Sequence, residues 1–166
     1  MVSRSQAVRS ARPEDSEAVA DVFLAARAAA MPYLPDLHTA EETRAWIRHV
    51  VLAEHEVRVV EAEGAVAGFV ALGPKTVEHL YVRPELKGRG IGVALLDVAK
   101  ELRPHGFRLW VFQRNVGARR FYERHGLHVV ELTDGAANEE REPDALYEWR
   151  PLSRARPGRP STRAAP

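Results

Sequence analysis

The run Lys87-Gly88-Arg89-Gly90-Ile91-Gly92 constrains this chain more than any other stretch. It lies between His79-Leu80-Tyr81-Val82, which reads as a strand, and Ile91-Gly92-Val93-Ala94-Leu95-Leu96-Asp97-Val98, which reads as a helix. Glycines crowded where a helix starts leave backbone N–H groups bare and pointing one way, at the positive end of the helix dipole. Such a turn suits a phosphate group. Two familiar phosphate loops do not fit. No Gly-Lys-Ser or Gly-Lys-Thr occurs, so there is no Walker loop. A dinucleotide fingerprint needs G-x-G-x-x-G directly after the first strand of a parallel unit. Here the spacing is G-x-G-x-G, the strand lies mid-chain, and five residues separate Val82 from Gly88. Glycines that merely make a tight turn are the plain alternative.

With 166 residues, 45% of them hydrophobic, the chain has material for one domain with one core. No apolar run reaches 18 residues, and the N-terminus carries no apolar signal segment, so no membrane span is expected. The alanine-rich stretch from Ala18 to Ala30 is broken by Asp21 and Arg27 and reads as a water-facing helix. There is no cysteine, which excludes disulfides, thiolate metal sites and a cysteine acyl-enzyme. The expected location is the cytoplasm. Seven histidines occur without an H-E-x-x-H pattern, so no metal is expected.

Residues 151–166 hold Arg154, Arg156, Arg159 and Arg163 and no acid; the other 150 residues carry 20 bases and 23 acids. Prolines and a missing apolar period mark this tail as disordered, after a single domain over 1–150. Four arginines make a weak nucleic-acid footprint, and a solvated tail is the favoured reading.

Val8 to Ala11 reads as a short strand. Pro13 with Glu14, Asp15 and Glu17 opens a helix over 14–30, with Val19, Val22, Phe23 and Ala26 at helical spacing. Thr39 and Glu42 form a capping box for a second helix carrying Trp46, Ile47, Val50 and Val51. Val57–Ala62 and Ala65–Leu72 read as a hairpin around Glu63-Gly64, and Thr76–Val82 as a third strand. After the glycine turn, Ile91, Leu95, Val98 and Leu102 give the next helix a buried stripe. Arg108–Phe112 is a strand, Val116–Arg124 a helix, and Leu127–Leu132 and Leu146–Trp149 a closing strand pair. The order β-αα-βββ-α-β-α-ββ predicts an α/β fold with one mixed sheet and helices on both faces.

A second motif follows the first: Asn115, Ala118, Phe121, Tyr122, Gly126 and Leu127. The two in this order resemble the GNAT superfamily of acyl-CoA-dependent N-acyltransferases. Its [QR]-x-x-G-x-[GA] signature corresponds to Lys87–Gly92, and its N-x-x-A-x-x-[FL]-Y-x-x-x-G-F element to Asn115–Leu127. Similarity is clear over residues 65–130 and looser over 7–150. Lys87 replaces the usual Gln or Arg, and Leu127 the usual Phe. The resemblance implies a GNAT-like fold in which two strands splay and acetyl-CoA, as co-substrate, lays its pantetheine arm in the gap. It would pair with the edge at Leu80, Tyr81 and Val82. Its pyrophosphate would rest on the N–H groups of Lys87, Gly88, Arg89, Gly90, Ile91 and Gly92. Lys87 and Arg89 are either added positive charge there or solvated loop charges. Asn115 is well placed as an N-cap, and the family adds an amide contact to pantetheine beside Ala118. Tyr122 is either a core aromatic or, as the family implies, the phenol beside the cofactor sulfur.

The implied activity is an N-acetyltransferase moving acetyl directly to a primary amine of a small molecule or peptide in a ternary complex. The alternative is an inactive acyl-CoA sensor. An alkylammonium of pKa ~10.4 costs roughly 4–5 kcal/mol to deprotonate at pH 7, so a base or water relay is useful. Glu78 is the first candidate and His79 the second, with alternation placing them on opposite faces. A backbone N–H near Tyr81 or Val82 would serve the oxyanion. Tyr122 would serve the departing thiolate. Family acceptor sites draw on the first two helices and the last strand loop, here Met31, Tyr33 and Trp46 with Glu139 and Glu140, whose carboxylates would favour a cationic amine. Homodimers are common in the family.

Overall fold

The computed structural model describes residues 6–153. The arginines expected to form a disordered tail, from Arg154 onward, lie outside the described residues. Strand β1 (Val8–Ser10) leads through a 3-10 turn at Pro13–Asp15 into helix α1 (Ser16–Ala30). Helix α2 (Ala40–Trp46) runs on through a π turn (Ile47–Val51) into a last short turn, α3 (Leu52–Glu54). Strands β2 (Glu56–Ala62), β3 (Ala65–Leu72) and β4 (Val77–Val82) follow, then helix α4 (Ile91–Leu102), strand β5 (Phe107–Phe112), helix α5 (Val116–Arg124), and strands β6 (His128–Leu132) and β7 (Asp144–Trp149).

Local chemistry explains several boundaries. Thr39 Oγ1 accepts from the Glu42 N–H at 3.1 Å, and Glu42 Oε2 accepts from the Thr39 N–H at 2.8 Å, completing the capping box. Glu63 and Gly64 take φ of 54° and 79°, the paired positive values of a tight hairpin turn between β2 and β3.

The expected mixed sheet takes the form of two antiparallel sheets. One has the order β1-β2-β3-β4 and the other β5-β7-β6. They meet where Thr76 bridges Arg108 in parallel. Apolar side chains fill both sides of the first sheet. Val19, Val22, Phe23, Ile47 and Val51 pack with Val59 and Phe69 on the side of α1 and α2. Ile91, Leu95, Leu96 and Ala99 of α4 pack with Val70, Leu72, Leu109 and Tyr147 on the other. The buried stripe of α4 is thus turned from the expected one: Leu96 and Ala99 are buried, while Val98 and Leu102 are half-exposed. Gly68 sets the seating of this helix. A Cβ there would lie 3.0 Å from Ile91 Cγ2 and 3.1 Å from Leu95 Cδ1, so α4 rests directly on the β3 backbone.

Candidate active site

β4 and β5 begin side by side and then part. The Arg108 N–H donates to the Lys75 carbonyl at 3.0 Å beside the Thr76–Arg108 bridge. Beyond it each strand follows its own sheet, and a cleft of about 440 Å³ opens between them. Residues 77–81 and 109–112 form its walls, joined by Asn115, Ala118 and Tyr122 of α5 and by Met31, Asn138 and Glu140.

The edge of β4 is more selective than expected. The Arg83 N–H donates to Ala67 at 2.8 Å, and Tyr81 and His79 pair with Phe69 and Ala71. Bonding direction alternates along an antiparallel strand. Tyr81 therefore turns its backbone groups toward β3, while Leu80 and Val82 turn theirs toward the unpaired edge. Of the two N–H groups expected to face an oxyanion, only that of Val82 lies on that edge.

The alternation expected of Glu78 and His79 does not hold. Ala71 pairs with His79 but Leu72 with Val77, so Glu78 is the extra residue of a β-bulge. Both side chains consequently line the cleft. Glu78 is exposed and accepts from Thr76 Oγ1 at 2.5 Å. The His79 ring has centroids of Trp46, Phe23 and Tyr81 at 5.1, 5.8 and 6.3 Å. Burial pushes its pKa down to about 4 against the opposing pull of Glu78, with His55 and Arg27 adding to the fall. It is neutral at physiological pH.

Tyr122 is 7% exposed and lines the cleft from α5. Burial pushes its phenol well above the usual range, and the neighbouring Tyr81 adds to this. Asn115 Oδ1 accepts from the Ala118 N–H at 3.3 Å, so it caps α5, and it also lines the cleft. The cap uses the amide oxygen and leaves the NH₂ group for another partner.

Gly92 ties the glycine turn to this cleft. A Cβ there would stand 3.3 Å from Phe121 Cζ and 3.9 Å from Val82 Cγ2, so the start of α4 abuts both the end of β4 and α5. Gly88 and Gly90 have φ of 78° and 82°, and among the described residues a Cβ at either would meet nothing within 4 Å. Among the described residues, no backbone N–H from Gly88 to Val93 has a protein acceptor, whereas that of Lys87 donates to Pro84 at 3.3 Å. The Arg89 guanidinium leans away to Glu63 at 3.0 Å, and Lys87 is exposed.

The residues expected to face an acceptor separate into two groups. Met31 and Glu140 line the cleft. Trp46 stands behind His79, packed on Phe23 at 5.5 Å. Tyr33 lies under the Arg114 guanidinium, whose Cζ is 3.9 Å from the Tyr33 ring centroid, and its buried hydroxyl has no partner among the described residues. The two acids already have partners: Glu140 takes Arg27 at 2.6 Å, and Glu139 takes His38 at 2.7 Å. Sequence reasoning missed Arg27, Trp110 and the residues that fix the β6–β7 loop. Buried Asp144 accepts from Thr133 Oγ1 and, at 3.0 Å, from Asn138 Nδ2. Trp110 carried a legible signal, since it alternates with Leu109 and Val111 on β5; Arg27 carried none. Among the described residues, no three His, Asp or Glu side chains are grouped to hold a metal. No helix there is long and apolar enough to cross a membrane.

A glycine-bounded helix start at the end of a cleft between splayed strands is the architecture of the GNAT fold. YjaB of Escherichia coli superposes with a TM-score of 0.71 at 22% identity, over 86% of this chain and 95% of that one. PaiA N-acetyltransferase of Thermoplasma acidophilum, solved in complex with coenzyme A, gives 0.68 at 22% identity, over 87% and 98%. The family model described as an acetyltransferase (GNAT) domain matches residues 47–128. Peptidyl-lysine N-acetyltransferase YiaC of E. coli is 34% identical over 51% of this chain and 58% of its own length. The uncharacterized N-acetyltransferase MJ1207 of Methanocaldococcus jannaschii is 35% identical over 46% and 41%. These matches span about half the length of the curated relatives. The fold and the matched half of the chain are those of the GNAT superfamily.

Proposed function

We propose that this protein is an acetyl-CoA-dependent N-acetyltransferase that moves the acetyl group directly to a primary amine. One observation carries the reading. The cleft between β4 and β5 has the Tyr122 phenol in its wall, and a glycine turn whose N–H groups have no acceptor among the described residues packs against the end of β4 and against α5, two of the elements that wall the cleft. The residues present fit the co-substrate. Gly88 and Gly90 leave a bare backbone cradle for a pyrophosphate, each charge-assisted bond contributing roughly 1.5–3 kcal/mol. The outer edge at Leu80 and Val82 offers amide partners for the pantetheine arm, and the free NH₂ of Asn115 one more. When bound, acetyl-CoA supplies an activated acyl carbon and a thiolate leaving group.

The chain's own groups then have distinct tasks. Glu78, on the bulge and held by Thr76, accepts the proton of the incoming ammonium through water. His79 is a poor second, because its aromatic enclosure depresses its basicity. The Val82 N–H donates to the oxygen that takes up negative charge. Tyr122 donates a hydrogen bond to the departing sulfur. A thiol has a pKa near ~8.5, and burial raises the phenol, so complete proton transfer from Tyr122 is uphill and hydrogen bonding is its contribution.

Titration calorimetry with acetyl-CoA, followed by thiol release over a panel of amines, tests the reading. Saturable heat and amine-dependent thiol release are expected. Absence of heat removes the co-substrate assignment, and heat without release leaves a binding domain.

A further inference from the structure

The β6–β7 loop, residues 133–143, is tied to the segment after α1. Arg27 at the C-terminal end of α1 pairs with Glu140 at 2.6 Å, and His38 pairs with Glu139 at 2.7 Å. Arg114, stacked on Tyr33 from that same segment, reaches Glu142 of the loop at 3.3 Å. Three contacts thus strap the two segments together beside the cleft that Met31, Asn138 and Glu140 line. The loop is stiff as well, since Asn138 Nδ2 also donates to the Glu142 carbonyl at 2.7 Å. A volume of about 440 Å³ is at the small end for ligand sites, and the thioester end of the co-substrate must share it.

Charge in the wall is largely consumed. Glu140 is paired with Arg27, both oxygens of Asp144 accept from Thr133 and Asn138, and Glu139, outside the wall, is hydrogen-bonded to His38. Among the described residues, Glu78 is held only by the Thr76 hydroxyl. One ammonium therefore finds a carboxylate, and a second cationic group on the same molecule finds none free. Met31, Leu109, Trp110, Phe112 and the neutral His79 give much of the remaining wall an apolar or aromatic face, beside the uncharged polar groups of Asn115, Tyr122, Thr133 and Asn138. Building on the transferase reading, we infer that the acceptor is a small monoamine with an apolar or aromatic body, not a polyamine or a lysine of a protein.

Thiol release from acetyl-CoA is measured with phenethylamine, spermidine and an N-blocked lysine pentapeptide. The expected kcat/KM for phenethylamine exceeds both others ten-fold or more. Equal or higher values for spermidine or the peptide overturn the inference while leaving the transferase reading intact. Silence with every amine sinks both. A variant examines the strap. His38→Ala, exposed and outside the cleft lining, is expected to raise the peptide's kcat/KM at least five-fold and to leave that of phenethylamine unchanged. An unchanged peptide value removes the strap as the source of the discrimination.

Discussion

Thr76 and Arg108 are bridged in parallel where β4 and β5 begin, and from that bridge the two strands diverge into separate antiparallel sheets. The cleft is a consequence of this divergence. Backbone, not side chains, opens it, and it exposes the edge of β4 just where the glycine turn ends the strand.

Tyr122→Phe removes one hydroxyl from a buried wall and keeps the ring that packs near Phe121, at 5.2 Å, and Tyr147, at 6.3 Å. Turnover is expected to fall ten-fold or more, about 1.4 kcal/mol or above in the barrier, while the acetyl-CoA Kd changes less than two-fold. Stopped thiol-release kinetics with parallel calorimetry separate the two effects. Unaltered turnover eliminates the phenol as a donor to sulfur.

Glycine substitutions distinguish conformation from space. Gly88, Gly90 and Gly117 each have open room for a Cβ, but only the first two have positive φ. Gly90→Ala is expected to cost about 1–2 kcal/mol of stability and to weaken acetyl-CoA binding. Gly117→Ala, inside α5, is expected to stabilise by about 0.4–1 kcal/mol. Urea unfolding of both variants gives opposite signs if the backbone at residue 90 is as described.

His79 links stability to acid. Its folded pKa of about 4 lies below the ordinary 6.5, so the unfolded chain binds the proton more tightly. The stability it contributes is complete above pH 6.5 and is lost as pH falls toward 4, by about 3 kcal/mol. His79→Phe should flatten that part of a stability-against-pH curve. An identical slope in the variant contradicts the assignment.

Asp144 anchors the β6–β7 loop. Asp144→Ala strands the Thr133 hydroxyl and the Asn138 amide and is expected to cost about 2–3 kcal/mol, lowering Tm by about 5–10 °C. Calorimetric melting checks this, and a change within 1 °C would mean that the network carries no weight.

Sequence alone determined the element order, the capping box at Thr39 and Glu42, the hairpin at Glu63-Gly64 and the glycine turn before α4. All of these are encoded within a few residues, by backbone freedom or by groups one helical turn apart. Tertiary structure decided the rest. The Glu78 bulge appears only when β4 is laid against β3, and it sends two neighbours into one cleft. His79 lost its ordinary basicity to aromatic rings brought from α1 and α2. Glu140 read as a free acid until folding brought Arg27, 113 residues away in the chain, to its side. Local periodicity carries no record of such partners, because charge pairing across the fold depends on where distant backbone segments come to rest.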